Sequence, residues 1–307
     1  MTPAGQEDTM LNESELINTY EELPITDYFM WRKVLSDHEI CREVLERLLR
    51  RPIGELQDVV PERSFKKTKD GKEIRIDIYT KAEDVIYDVE MQNLGKQTVK
   101  KHYLPKRSRY YQTLIDLASL DEGKPYSALP ECNVIFVCTF DPFGENEPVY
   151  IFQNMHKGKK TIMLKDGTCK YFFNCAYQGN DIPKELDDFY RYIRNGIPTD
   201  DLTAKMEEGL KMARKNNVWM AEYLRANLFK EDCIEEGRAI ERENTEKQRK
   251  RAEEQEKRAE EQEKRAEEQE KRAEEQEKRA DKAEKEALYY KELLEKNGIK
   301  VDETKKE

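Results

Sequence analysis

The sequence predicts an α/β domain, then a helical region and a long charged C-terminal helix. Three observations carry this. Glu73 to Asn93 alternates apolar and polar residues with a period of two, broken only at Lys81 to Asp84, which is the signature of two half-buried strands. Asn133 to Phe140 is the most apolar run and is rich in β-branched residues, as a buried strand requires. Between and after these strands lie stretches with helical spacing and capping residues, and from Arg251 the chain repeats a seven-residue unit.

Composition separates the parts. Charged residues make up 39% of the 307-residue chain and hydrophobic residues 37%, too polar an average for a single globule of this length. Residues 20–230 hold most of the Ile, Val, Leu, Phe and Tyr, whereas 238–285 hold almost none. The segments are therefore 1–20, a loose polar N-terminus; 21–180, the α/β domain; 181–237, a helical extension; 238–297, a charged heptad-repeat helix; and 298–307, a flexible tail. The formal net charge of −10 argues against a simple DNA-coating role, although a local basic surface remains compatible with it. The six cysteines form no C-x-x-C pair and lie at no metal spacing from a histidine, so they read as reduced thiols of a cytoplasmic protein. Met1 to Leu16 is polar and acidic, unlike a signal peptide, and no apolar run approaches the ~20 residues of a membrane span.

Pro24 and Asp27 introduce the aromatic cluster Tyr28 to Trp31, with Trp31 available either for core packing or for stacking on a nucleobase. Asp37 caps a helix from His38 to Arg50 whose buried stripe is Cys41, Val44, Leu45 and Leu48. Val59 to Lys67 reads as a first strand broken by Pro61, and Lys69 to Lys72 as a turn. In the hairpin that follows, Ile74, Ile76 and Ile78 take one face and Arg75, Asp77 and Tyr79 the other. In its second strand Val85, Val89 and Met91 point inward, and Asp88, Glu90 and Gln92 outward. Asp77 and Glu90 then become near neighbours. Opposed carboxylates repel unless a cation lies between them, so the pattern leaves two readings open: a solvated polar face, or a site for a hard divalent cation.

Lys96 to Leu120 reads as a helix pair or one helix kinked at Pro105, with Tyr111, Leu114, Ile115 and Ala118 toward the core. Its Lys96, Lys100, Lys101, Lys106, Arg107 and Arg109 suit phosphate contacts or a merely solvated basic face. Val149–Phe152, Thr161–Leu164 and Lys170–Phe173 are candidate strands. Pro183 opens a helix stopped at Gly196, and Asp201 caps a further helical stretch through Leu224.

Four identical copies of Arg-Ala-Glu-Glu-Gln-Glu-Lys start at Arg251, followed by a degenerate fifth from Arg279 to Lys285. Glu-to-Lys and Glu-to-Arg pairs recur at i,i+4, each worth about 0.2–0.5 kcal/mol in isolation. The seam positions are Ala and Gln, which bury little apolar area, so the repeats favour a solvated single helix over a strong coiled coil. Arg238 to Glu295 would span roughly 85 Å. Ala287, Tyr290 and Leu294 leave a homo-oligomer through the last heptads open, and Asn297-Gly298 is the stop signal.

Several stretches, in order, bear a resemblance. Leu23–Met30, Arg75-Ile76-Asp77, Asp88-Val89-Glu90-Met91-Gln92, Leu104–Gln112, Val134–Phe143 and Glu235–Arg238 together resemble the Rpn-type recombination-promoting nucleases, also labelled PD-(D/E)XK family transposases. The resemblance implies a restriction-endonuclease-like core, a mixed central sheet flanked by helices. It implies an Mg2+- or Mn2+-dependent DNA endonuclease, with Asp77, Glu90 and the Met91 carbonyl as metal ligands and Gln92 in the place of the usual lysine. Glu46 matches a glutamate that supports the metal site in some members, or is a solvated helix acid. Lys106, Arg107, Arg109 and Tyr111 would contact DNA. The competing expectations are a non-catalytic nuclease-fold module that binds DNA or protein, and an assembly protein held by the C-terminal helix.

Overall fold

The computed structural model describes residues 13–66, 72–93 and 103–296. The expected turn at 69–72, the lysines at 96, 100 and 101, the stop at 297–298, residues 1–12 of the expected loose N-terminus and the expected tail at 298–307 fall wholly or mainly outside the described residues; Glu13 to Tyr20, expected to be loose, is helical, and Tyr20 is fully buried. The chain divides at Phe229 and Lys230 into two units.

The first unit is α/β, with a mixed six-stranded sheet flanked by helices. Its elements are α1 (Glu13–Glu21), α2 (Tyr28–Leu35), α3 (His38–Leu49), β1 (Val60–Phe65), β2 (Ile74–Ala82), β3 (Val85–Gln92), α4 (Leu104–Ser119), β4 (Glu131–Cys138), β5 (Val149–Phe152), β6 (Thr168–Asn174), α5 (Lys184–Asn195) and α6 (Asp201–Arg214). A final helix, α7 (Asn217–Lys296), starts in this unit. Strand order is β1-β2-β3-β4-β6-β5. β1, β2 and β3 form an antiparallel meander, β3, β4 and β6 run parallel, and β5 closes the edge antiparallel to β6.

Capping chemistry fixes the helix starts. Asp27 Oδ1 accepts from the N–H groups of Phe29 and Met30, and Asp37 Oδ1 from those of Glu39 and Ile40. The first cap turns Tyr28–Trp31, read above only as an aromatic cluster, into the helix α2. Trp31 is fully buried, so stacking on a nucleobase is not open to it. Pro105 occupies the first turn of α4, where its missing N–H has no partner to lose, so it opens the helix rather than breaking it. Gly196 ends α5 at φ 71°. The cap of α6 is Asp200 and not Asp201, because Asp200 and Thr203 satisfy each other's main-chain groups in a capping box. The expected continuous helix to Leu224 is interrupted: Asn216 Oδ1 accepts from Val218 and Trp219 N–H and starts α7 afresh. Thr161–Leu164 forms no strand; one isolated bridge joins Met155 to Met163.

The sheet separates two apolar layers. On one face Ile78, Tyr87, Val89, Met91, Ile135, Val137 and Phe173 pack against α2, α3, α5 and α6, and Tyr20 of α1 joins them. On the other Phe65, Ile74, Ile76, Tyr79, Ile86, Val134, Phe136 and Phe172 pack beneath Leu104, Tyr111, Leu114 and Ile115 of α4. Ala118 is exposed, not core, because it lies on the outer side of that helix. Each fully buried Ile or Phe contributes about 1.5–3 kcal/mol. Ile74, Ile76 and Ile78 do not share a face as their spacing suggests. Ile76 and Ile78 lie in opposite layers, so the alternation slips between them, at Asp77.

In the second unit α7 is regular and exposed. From Lys250 to Leu294 every described side chain is exposed. Arg258–Glu254 and Arg272–Glu268 pair at 2.8 Å and Arg279–Glu275 at 3.2 Å. No described helix is long and apolar enough to cross a membrane.

Candidate active site

The slip at Asp77 builds the site. β2 and β3 pair from Ala82–Val85 down to Ile78–Val89, where the ladder stops. Beyond it carboxylates replace main-chain carbonyls as acceptors. Asp77 N–H donates to Glu90 Oε1 at 2.9 Å, and Met91 N–H donates to Asp77 Oδ2 at 3.1 Å. The two acids therefore sit side by side at a split between adjacent strands. On the other side of β2 the register with β1 runs Pro61–Ile78 and Arg63–Ile76, passing over Glu62 and Asp77. Glu62 takes a positive φ of 58°, rare for a residue with a Cβ. Its carboxylate pairs with the buried Arg32 of α2, and Arg75 stands 3.6 Å away. Two strands are thus deformed around one aspartate.

α4 closes the site from above. Arg107 Nη2 meets Glu90 Oε2 at 2.5 Å, its Nη1 donates to Gln92 Oε1 at 2.9 Å, and its Nε donates to Tyr111 Oη at 2.8 Å. Gln92 Nε2 in turn donates to the Met91 carbonyl at 2.8 Å. Pro105 and the start of α4 set this geometry, because Arg107 and Tyr111, one helical turn apart, share the inner face.

Burial dominates the electrostatics. Asp88 and Glu90 are fully buried, and Asp77 is half-buried. Desolvation pushes the Asp77 carboxyl up to about 6, against the pull of the Met91 N–H, Arg107 and Arg32. Burial, then Asp77 and Asp88, hold Glu90 well above the carboxylate range despite Arg107. Asp88 is raised likewise, first by burial, and neither of its buried oxygens has a hydrogen-bond partner. Three acids with one intimate guanidinium leave a deficit of positive charge. An all-oxygen donor set of this kind suits a hard divalent cation. Among the described residues no group of three or more His, Cys, Asp or Glu could hold a metal ion.

The expected residues divide. Asp77, Glu90, Met91, Gln92, Arg107 and Tyr111 come together. Arg107 and Tyr111, expected to face DNA, instead belong to the carboxylate cluster: Glu90 draws the guanidinium inward, and Tyr111 is buried behind it. Lys106 and Arg109 are exposed on α4. Glu46 does not join the site. Its Oε1 accepts from Ile53 N–H at 3.1 Å and pairs with Arg42, so it organises the chain after α3. Two groups escaped the sequence reading. Asp88 carried a signal, being two residues from Glu90 on the same strand face. Arg32, from a helix over 40 residues earlier in the chain, carried none.

No family model matches the chain, and no curated protein or solved structure does.

Proposed function

We propose that the chain is a divalent-metal-dependent DNA endonuclease of the Rpn type, built on a PD-(D/E)XK-like core. One observation carries the reading: Asp77 and Glu90 face each other at a local split between β2 and β3, each accepting a main-chain N–H beside the other. The ordered motif set in the sequence supports the same reading, as does the mixed sheet with an antiparallel meander leading into parallel strands.

Asp77, Glu90 and the Met91 carbonyl would hold the cation. A bound Mg2+ or Mn2+ supplies Lewis-acid stabilisation of the phosphate and lowers the pKa of a ligated water. Gln92 orients the attacking water through its amide, with no charge of its own. Arg107 carries the positive charge that a lysine at position 92 would bring, and places it between Glu90 and solvent. Tyr111 positions Arg107. The reaction is hydrolysis of a phosphodiester: water adds to phosphorus and the sugar oxygen leaves with a proton.

A second reading rests on Arg107. Its contact with Glu90 satisfies that carboxylate without any metal. The chain would then be a nuclease-fold module that binds DNA or protein and cuts nothing. Plasmid nicking with Mg2+ or Mn2+, wild type against Glu90→Gln, separates the two. Metal-dependent nicks lost in the variant support the endonuclease. Tight metal binding absent by calorimetry, with no nicks at any metal concentration, overturns it.

A further inference from the structure

A row of side chains leads away from Glu90 across the same face of the sheet. Glu90 of β3 is in register with Phe136 of β4, and Phe136 with Phe172 of β6. The Arg107 guanidinium that pairs with Glu90 also lies 5.8 Å from the Phe136 ring, and Phe136 stacks on Phe172 at 5.0 Å with the planes 8° apart. Phe172 forms a wall of a cavity of about 500 Å³, which is closed on the helix side by Pro105, Ser108 and Arg109 of α4. Two strand spacings separate β3 from β6, about 10 Å.

The lining has a specific chemistry. Phe143 and Phe152 pack tilted at 5.1 Å, and Phe152 is 46% exposed on an edge strand. Phe152 packs one side on Phe143 and Phe172 and leaves the rest of its ring open to solvent at the cavity. Two cations, Arg109 and Lys170, line the same space, and the Lys170 charge also reaches the Asp116 carboxyl. Gln153 and Asn154 add amide donors and acceptors. An aromatic wall, two cations and amide groups are the parts that hold an unstacked nucleobase and its phosphate. The volume falls in the range of small-molecule sites. A duplex keeps its bases stacked and paired, so only an unpaired or extruded base can enter.

We propose that this cavity is a subsite for one unpaired nucleotide next to the scissile phosphate, which makes single-stranded or locally unpaired DNA the preferred substrate class. The base stacks on Phe152 and Phe143, and Arg109 and Lys170 take its phosphate. This rests on the endonuclease reading for the word substrate; the cavity's affinity for a single strand does not.

The test is fluorescence anisotropy of the full chain with labelled single-stranded and blunt duplex oligonucleotides of one sequence, in EDTA so that nothing is cut. The single strand should bind at least about tenfold tighter, and Phe152→Ala should remove that advantage, a loss of roughly tenfold. Phe152→Trp should keep it, and Lys170→Gln should weaken binding and flatten its salt dependence. These sites are exposed or half-buried, so the variants fold, which circular dichroism checks. Plasmid and bubble-substrate cleavage with Mg2+ is measured in parallel. Single-strand preference lost in Phe152→Ala but no cleavage by any form would keep the subsite and discard the endonuclease. Equal affinity for both oligonucleotides, unchanged in Phe152→Ala, overturns the subsite, even where Glu90-dependent cleavage persists.

Discussion

Replacing Asp77 by asparagine tests the site through stability rather than activity. In the metal-free protein the Asp77 carboxyl is held at about 6, against an ordinary 3.8. At about 1.4 kcal/mol per pH unit, ionising it in the folded chain costs about 3 kcal/mol relative to the unfolded chain. The sign follows from the raised value. Its stabilising contribution is complete below about pH 3.8 and is lost as the pH rises through about 6. Asparagine is neutral throughout, and its Oδ1 can still accept from the Met91 N–H. Asp77→Asn should therefore stabilise the metal-free protein by about 3 kcal/mol near pH 8, and by about half of that near pH 5. Excess Mg2+ should stabilise the wild type, by about 2.7 kcal/mol at a hundredfold excess over Kd, and leave the variant unmoved. Urea denaturation followed by tryptophan fluorescence is the assay. The two tryptophans, Trp31 and Trp219, both lie in the first unit, whereas circular dichroism would be dominated by the long exposed α7. A variant less stable than wild type near pH 8, or equally stabilised by Mg2+, would refute the reasoning.

Further outcomes follow from the same geometry. Glu90→Gln should lower metal-dependent cleavage by at least about 100-fold with the fold retained, read from nicking rates and fluorescence. Arg107→Ala leaves Glu90 buried and unpaired and should destabilise by about 3 kcal/mol near neutral pH, a cost that shrinks in the Glu90→Gln background of a double-mutant cycle. Metal affinity by calorimetry should rise as pH increases through about 6, since the cation displaces the proton that burial keeps on Asp77. Asp88→Asn should raise the urea midpoint at high pH without loss of metal binding, because burial opposes ionisation of Asp88; a fall would show that its charge is needed.

The sequence made the hairpin legible because period-two alternation is a local property. It concealed the slip between Ile76 and Ile78, since nothing local says that a side-chain carboxylate will take the place of a main-chain acceptor. The positions of Asp77, Glu90 and Gln92 were readable as a motif. The fate of Arg107 was not, because a basic residue on a helix looks the same whether it faces phosphate or bends inward to a carboxylate from another element. Asp88 was hidden in plain alternation: as one polar residue among three on a strand face it looked solvated, and only the covering α4 shows that water is excluded. α2 went unread because eight residues hold barely two turns, too few to show a period, although its cap Asp27 was visible. Pro105 illustrates a third limit, since the same residue opens or breaks a helix according to where the first turn lies, and that boundary is set by packing.

The identical heptads of α7 have a geometric consequence. Each copy carries its own Glu–Arg link, so the pairing repeats with the unit. Seven residues at about 100° each fall about 20° short of two full turns, and add about 10.5 Å. Copy number therefore acts as a vernier: every added unit moves Tyr290 farther from Arg238 and rotates it by a small fixed angle. Chains built with other repeat counts would present the same terminal apolar side chains at graded distances and azimuths, a change that leaves every carboxylate of the first unit untouched.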